Sequence, residues 1–280
     1  MRTIQTNDVI NAVKEMCISA NHYLSDDMKK ALEKAVSTEK SQIGKKILNQ
    51  LQENLQIADI DQIPICQDTG MAVFFVEIGQ DVHIDGGLLT EAINEGVRQG
   101  YTEGFLRKSV VSDPIERINT KDNTPAVIHY DIVQGDKLKI TLAPKGFGSE
   151  NMSRIFMLKP ADGIEGVKNA ILTAVKDAGP NACPPMVIGV GIGGTFEKSA
   201  LMAKQALTRD FSNRPQVKWV KDLEDEMLEQ INKLGIGPGG LGGTTTAIAV
   251  NINTFATHIA GLPVAINICC HVNRHISREL

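Results

Sequence analysis

The chain has 280 residues and a formal net charge of −4 at pH 7, long enough to bury a sizeable core and too weakly charged to point to nucleic acid or an anionic membrane. With 42% hydrophobic and 22% charged residues it has an ordinary globular make-up. No apolar run reaches the length of a membrane span, and "MRTIQTNDVINAVKEMC" lacks the apolar core of a signal peptide. The expected address is therefore cytoplasmic.

Residues 1–60 read as mainly helical. Ile10, Val13, Cys17, Ala20 and Leu24 recur at helical spacing, and Ser25-Asp26-Asp27 offers an N-cap for a second helix. A third segment carries Ile43, Ile47, Leu48, Leu51 and Leu55 on one face. Next comes "PICQDTG" (Pro64–Gly70), followed at once by the apolar run "MAVFFVEI", which has strand length. "LLTEAINEGVRQGYTEGFLRKSVVSDP" reads as a helix entering a loop. "AVIHYDIV" and "KLKITLA" flank Gln134-Gly135-Asp136 and read as a hairpin.

The second half is rich in glycine and proline, in "KGFGSENMS", "NACPPMVIGVGIGG", "GIGPGGLGGTTT" and "IAGLPVAINICCH". Several loops with special backbone demands point to crowding around a ligand. The expected architecture is one α/β domain over residues 1–280, a helical N-terminal part followed by a mixed sheet with glycine-rich loops around a site. Gly189, Gly191 and Gly194 spell G-x-G-x-x-G after a strand and before a helix, which is the setting of a dinucleotide fingerprint. That fingerprint also needs a second strand ending in an acidic residue about 20 positions on. "LTRDFSNRPQVKW" supplies no buried strand for Asp210, so an NAD-dependent oxidoreductase is the weaker reading. The simpler one is a glycine turn that lets the helix pack close to the sheet.

The cysteines at 17, 66, 183, 269 and 270 make an odd count with no CxxC pair. In a reducing compartment each is core filler, nucleophile or metal ligand. Cys17 lies on an apolar helical stripe and reads as core. Cys66, Cys183 and Cys270 (or its neighbour Cys269) each occupy a loop bordering an apolar strand. Three thiolates brought together from such loops suit an iron–sulfur cluster with one iron open as a Lewis acid. Scattered cysteines also fill cores, and spacing alone leaves both readings standing.

Six stretches in order, "CQDTG", "LRKSVVSDP", "KGFGSEN", "NACPPMVIGVGIGGTFEKSALMAKQAL", "LGIGPGGLGGTTTA" and "HIAGLPVAINICCH", resemble the class I, iron–sulfur-dependent fumarate hydratases. The similarity is to the α-subunit of their two-subunit form and the N-terminal domain of their single-chain form, from about residue 10 onward. The resemblance implies a [4Fe–4S] cluster held by Cys66, Cys183 and Cys270. Adjacent residues on an extended chain point opposite ways, so one of Cys269 and Cys270 should face the cluster and the other the core. Cys270 is preferred for its place next to His271.

The resemblance further implies acid/base duty for Asp68, substrate contact for Gln67, and carboxylate binding by Arg107, whose planar fork suits bidentate pairing. Read alone, Asp68 would open an Asx-turn before Gly70. Gly148 would lend a main-chain amide to a substrate carboxylate. His258, twelve residues before Cys270, matches the family's active-site histidine, as a substrate hydrogen bonder or a proton carrier. Lys145 and Glu150 are read as charges just behind the site. His271, Asn273, Arg274 and His275 lie behind it or meet a partner chain. The implied reaction is reversible hydration of fumarate to L-malate. The implied partner is a β-subunit carrying the remaining arginines, lysine and threonine of the pocket, within a higher oligomer. The related L-tartrate dehydratase α-subunit is the nearest alternative. "LRKSVVSDP" and "KGFGSEN" look like the fumarate hydratase versions of those segments.

Overall fold

The computed structural model describes residues 2–280. In chain order its elements are β1 (Arg2–Gln5), α1 (Thr6–His22), α2 (Asp26–Thr38), α3 (Gln42–Asp61), β2 (Met71–Gly79), β3 (Val82–Asp85), α4 (Leu89–Glu103), β4 (Val127–Val133) and β5 (Leu138–Lys145). There follow α5 (Phe147–Glu150), β6 (Arg154–Leu158), α6 (Gly163–Ala178), β7 (Met186–Gly194), α7 (Phe196–Ala206), α8 (Lys218–Asn232), β8 (Ala247–Thr257), β9 (Leu262–Cys269) and β10 (Ile276–Glu279). The fold is α/β, helical at the start and then built on mixed sheets, as expected. Among the described residues no helix is long and apolar enough to cross a membrane.

Two compact units are distinguished, and each has its own core. The first comprises the chain up to Ser25, Leu55–Phe147 and Arg274–Leu280. Its four-stranded sheet has the order β10-β5-β2-β4. Val9, Val13 and Met16 of α1, Ile93, Val97 and Tyr101 of α4, and Phe74, Ile140 and Leu142 of the sheet share one buried cluster. Burying such side chains stabilises by about 1.5–3 kcal/mol each before the entropy of ordering is subtracted. α1 and α4 approach closely because α4 carries glycines at the contact: a Cβ on Gly96 would lie 2.6 Å from Val13 Cβ, and one on Gly100 2.8 Å from Cys17 Cβ. Cys17 is fully buried there. Burial pushes its thiol pKa up, which leaves it an inert hydrophobe.

The expected β4–β5 hairpin does not form. β2 lies between the two strands, parallel to β4 and antiparallel to β5. The cause is burial: Ala72 to Val76 are all buried, and a strand apolar on both faces takes a central place rather than an edge. The Gln134–Asp136 connection instead crosses the end of β2. Gln80 N donates to Val133 O (2.8 Å) and Asp81 N to Gly135 O (2.9 Å).

The second unit comprises Asp26–Asn54 and Gly148–Asn273. Its sheet has the order β6-β9-β7-β8, with α6, α8 and three of its strands supplying the core. The G-x-G-x-x-G glycines are in β7 itself, not in a turn after it. A Cβ on Gly189 would stand 2.1 Å from Ala203 O, and one on Gly191 2.1 Å from Ser199 O. Gly189 and Gly191 let the α7 backbone lie directly on the strand, which accounts for these two glycines without a dinucleotide. The close packing of helix on sheet expected from these glycines is found; Gly189 and Gly191 provide it from within the strand, and Gly193 and Gly194 (φ 91° and 71°) lie at the strand end just before α7.

Candidate active site

In the first unit, the loop before β2 is fastened from several sides. Asp68 Oδ1 accepts from Gly70 N (3.0 Å), the Asx-turn legible in the sequence, and Oδ2 accepts from Phe147 N (3.0 Å). Asp68 stays half-buried rather than sealed, and an ionised carboxylate keeps acceptor capacity beyond two bonds. Gly146 leaves room for it, since a Cβ there would meet Asp68 Oδ2 at 3.0 Å. Gln67 is exposed, and its Oε1 accepts from Arg107 Nη1 at 3.3 Å. Gln67, Asp68 and Arg107 are thus brought to one corner, next to the half-buried Cys66.

The side chains that hold this corner include several not singled out in the sequence. Thr69, 1% exposed, accepts from Arg107 N (2.9 Å) and donates to Arg107 O (3.3 Å) through the same hydroxyl. The buried Tyr101 hydroxyl donates to Thr69 O and Gly70 O, both at 3.0 Å. Burial, first among the causes, pushes the phenol pKa up and keeps the group a donor. Asn123 is fully buried in a left-handed backbone (φ 62°), a conformation asparagine tolerates. Its Oδ1 accepts from Ser109 N (2.8 Å) and Val110 N (3.2 Å), and its Nδ2 donates to Gly70 O (3.2 Å). Arg274, also buried, donates to Asn21 Oδ1 (2.8 Å) and to the Asp68 main-chain carbonyl (2.9 Å). Only an asparagine in "KDNTP" hinted at Asn123; Tyr101 looks like any core aromatic of a helix.

In the second unit, Cys183 follows a short 3-10 turn (Gly179–Ala182) and takes a left-handed conformation (φ 51°, ψ 66°). A β-carbon makes that region costly unless surrounding contacts fix it. Here Cys183 N donates to Pro180 O (3.1 Å), Pro184 and Pro185 follow, and Cys183 O meets His271 N (3.3 Å) and His271 Nδ1 (3.0 Å). The thiol residue is exposed. Cys269 is 4% exposed at the end of β9, paired with Val187, whereas Cys270, one residue on, is half-buried. Behind β9, Glu150 pairs with Lys204, and Asn267 Nδ2 donates to Glu150 Oε2 and Ser153 Oγ, both at 2.8 Å. Asn273 Nδ2 donates to Leu207 O (2.9 Å).

Gly148 is exposed in α5, and a Cβ there would meet nothing within 4 Å. The fold itself does not demand glycine at that position. His258 is exposed in the connection from β8 to β9, where its Nδ1 accepts from Ala260 N (3.1 Å). That bond places the proton of a neutral ring on Nε2. Lys145 is buried, with Nζ donating to Gly146 O at 3.2 Å.

The glycine-rich segment 235–243 has an internal anchor. Glu39 Oε1 accepts from Lys40 N, Ser41 N and Thr244 N, each at 2.8 Å, and from Thr244 Oγ1 at 3.0 Å. Burial works against the Glu39 charge. The bonds from the Ser41 and Thr244 amides and the Thr245 and Thr244 hydroxyls outweigh it and hold the pKa down at about 2.

All five cysteines are thiols. Among the described residues no group of three or more His, Cys, Asp or Glu is spaced to hold a metal ion. A polynuclear cluster distributes its ligands over several metal atoms and requires a different spacing from a single ion. In donor chemistry, Cys66, Cys183 and Cys270 suit such a cluster: they are soft sulfurs and none is sealed in a core.

A family model described as fumarate hydratase (Fumerase) matches residues 10–279. A protein of Methanocaldococcus jannaschii, provisionally named L(+)-tartrate dehydratase subunit alpha, is 42% identical over 278 residues, covering 97% of each chain. The L(+)-tartrate dehydratase subunit alpha of Escherichia coli (strain K12) is 31% identical over 255 residues, covering 90% of this chain and 84% of its own. The protein of that name from Shigella sonnei matches to the same extent.

Proposed function

The chain belongs to the fumarate hydratase (Fumerase) family, and from that premise we propose that it is the α-subunit of an iron–sulfur hydro-lyase acting on a four-carbon dicarboxylate. The reaction proposed is the reversible hydration of fumarate to L-malate. The observation that carries the reading is the Gln67–Asp68–Arg107 corner. A guanidinium and an amide lie together there, beside a carboxylate whose orientation two main-chain N–H groups fix. That arrangement supplies an anion clamp and a proton carrier at a fixed separation.

Cys66, Cys183 and Cys270 would hold a [4Fe–4S] cluster, and the burial of Cys269 favours Cys270 as the third ligand. When bound, the cluster would supply Lewis acidity toward the substrate hydroxyl. Arg107 binds one substrate carboxylate through its fork, and Gln67 orients the same end. Asp68 takes the proton from the carbon beside a carboxylate during dehydration and returns it during hydration. Gly148 offers its main-chain N–H to a carboxylate, and His258 offers Nε2 for hydrogen bonding or proton exchange with substrate. The reaction involves no net redox change and requires no nicotinamide.

The relatives' names, each a "subunit alpha", support a β-subunit that completes the pocket, in a higher oligomer. Thiols throughout are compatible with the cytoplasm. The same names favour a second reading, dehydration of L(+)-tartrate. The test is anaerobic assay of the chain with and without its β-subunit on fumarate, L-malate and L(+)-tartrate. A kcat/KM for fumarate and malate at least about ten-fold above that for tartrate is expected, a specificity gap of about 1.4 kcal/mol. The reverse order establishes the tartrate reading, and no turnover of any of the three sinks the hydro-lyase. The chain alone should bind iron and turn over little.

A further inference from the structure

We infer that Thr69 is a positioning residue for Arg107, an inference that rests on reading Arg107 as the substrate's carboxylate clamp. Arg107 is exposed, and a long exposed side chain has no fixed place unless its backbone does. Its segment is a loop without helix or strand. One buried hydroxyl satisfies both main-chain groups of Arg107: Thr69 Oγ1 accepts from its N–H at 2.9 Å and donates to its carbonyl at 3.3 Å. Thr69 is itself immobilised through its own carbonyl, which takes the Tyr101 hydroxyl.

The register continues along the loop. Asn123 accepts from Ser109 N and Val110 N while donating to Gly70 O, so a second buried side chain ties the same two segments together. The clamp and the proton carrier are therefore separated by a route of two residues, Asp68 to Thr69 and across to Arg107. A dicarboxylate of fixed length reads that separation as a specificity, because misplacement by about 1 Å weakens a two-point grip. Thr69 touches no substrate in this account and acts only through Arg107.

The experiment uses the chain assembled with its β-subunit, comparing Thr69→Val, which keeps the shape and loses the hydroxyl, with Thr69→Ser, which keeps the hydroxyl. Thr69→Val should raise KM for the dicarboxylate about ten-fold, the size of one or two neutral hydrogen bonds, with kcat changed by less than about three-fold. Thr69→Ser should return KM to within about two-fold of the parent. Hydrogen exchange at the Arg107 amide gives a readout independent of turnover, faster in Thr69→Val and parental in Thr69→Ser. Asn123→Gly provides a second variant, since glycine accepts the left-handed backbone while losing all three bonds, and it should shift KM in the same direction. Equal KM in Thr69→Val and Thr69→Ser, or an unchanged Arg107 amide in Thr69→Val, overturns the inference. A parent assembly with no activity overturns the functional reading instead, and the exchange data then still decide whether Thr69 holds Arg107.

Discussion

The two units use one pairing plan for different ends. In the first, β10 runs antiparallel to β5, β5 antiparallel to β2 and β2 parallel to β4. In the second, β6 runs antiparallel to β9, β9 antiparallel to β7 and β7 parallel to β8. Each has a cysteine loop just before the inner strand that joins the parallel pair, Cys66 before β2 and Cys183 before β7. In each, the chain leaving the antiparallel neighbour returns to that loop. Phe147 N reaches Asp68 after β5, and His271 reaches Cys183 O after β9.

The inner strands differ. β2 fills its surroundings with Phe74, Phe75 and Val76, whereas β7 gives up side chains at Gly189 and Gly191 so that α7 can lie on it. What this teaches is where to look for chemistry. The glycine pattern that catches the eye in the second unit is packing. In both units a cysteine loop stands where two strand ends fix its backbone, Cys66 before β2 and Cys183 before β7.

Three perturbations test whether the two units divide packing from chemistry in this way. The largest effect is expected from Asp68→Asn in the assembled enzyme. Activity should fall about 10²–10⁴-fold if Asp68 is the proton carrier, with iron content and melting temperature near the parent's. A loss below ten-fold would reduce Asp68 to a turn former.

Next comes glycine replacement. Gly191→Ala puts a Cβ 2.1 Å from Ser199 O, so α7 must lift, and a destabilisation of about 3 kcal/mol is expected in urea unfolding. Gly148→Ala has open space around the new carbon and should leave stability within about 0.5 kcal/mol of the parent, while raising KM if its amide serves substrate. Equal stability losses in the two variants would erase the distinction between packing glycine and site glycine.

The last effect concerns acid and is absent at neutral pH in the parent. The Glu39 carboxyl is held down at about 2 in the fold, against an ordinary 4.5. Its contribution is therefore present above about pH 4.5 and lost as pH falls toward 2, up to about 3 kcal/mol. Glu39→Gln should remove most of that acid sensitivity and lower stability at neutral pH. An unchanged pH–stability curve would show that the segment around Gly243 does not depend on Glu39.

Much of the architecture is legible in the sequence because burial writes periodic patterns. The helices of residues 1–60 and the strand at Met71–Gly79 follow from apolar spacing alone. The β4–β5 hairpin fails as a reading because "AVIHYDIV" and "KLKITLA" are compatible with pairing each other, and only the stronger demand of β2 for a central place separates them. At the site, the Asx-turn of Asp68 is local and therefore readable. Thr69 and Asn123 are not, since their partners lie 38 and 53 residues away and nothing local requires those residue types; Arg274 is named from the sequence without its contact, the Asp68 carbonyl 206 residues away. G-x-G-x-x-G misleads for a related reason: glycine records closeness of backbone, and a helix satisfies that as well as a phosphate does.

Iron and sulfide content decides whether Cys66, Cys183 and Cys270 hold the proposed iron–sulfur cluster. Anaerobically reconstituted parent chain and its Cys→Ser variants would be measured. About four irons and four sulfides are expected per parent chain, with a marked loss in Cys66→Ser, Cys183→Ser and Cys270→Ser and parental content in Cys269→Ser. A parent chain without sulfide, or variants at 66, 183 and 270 that all keep full iron, would contradict the proposed cluster.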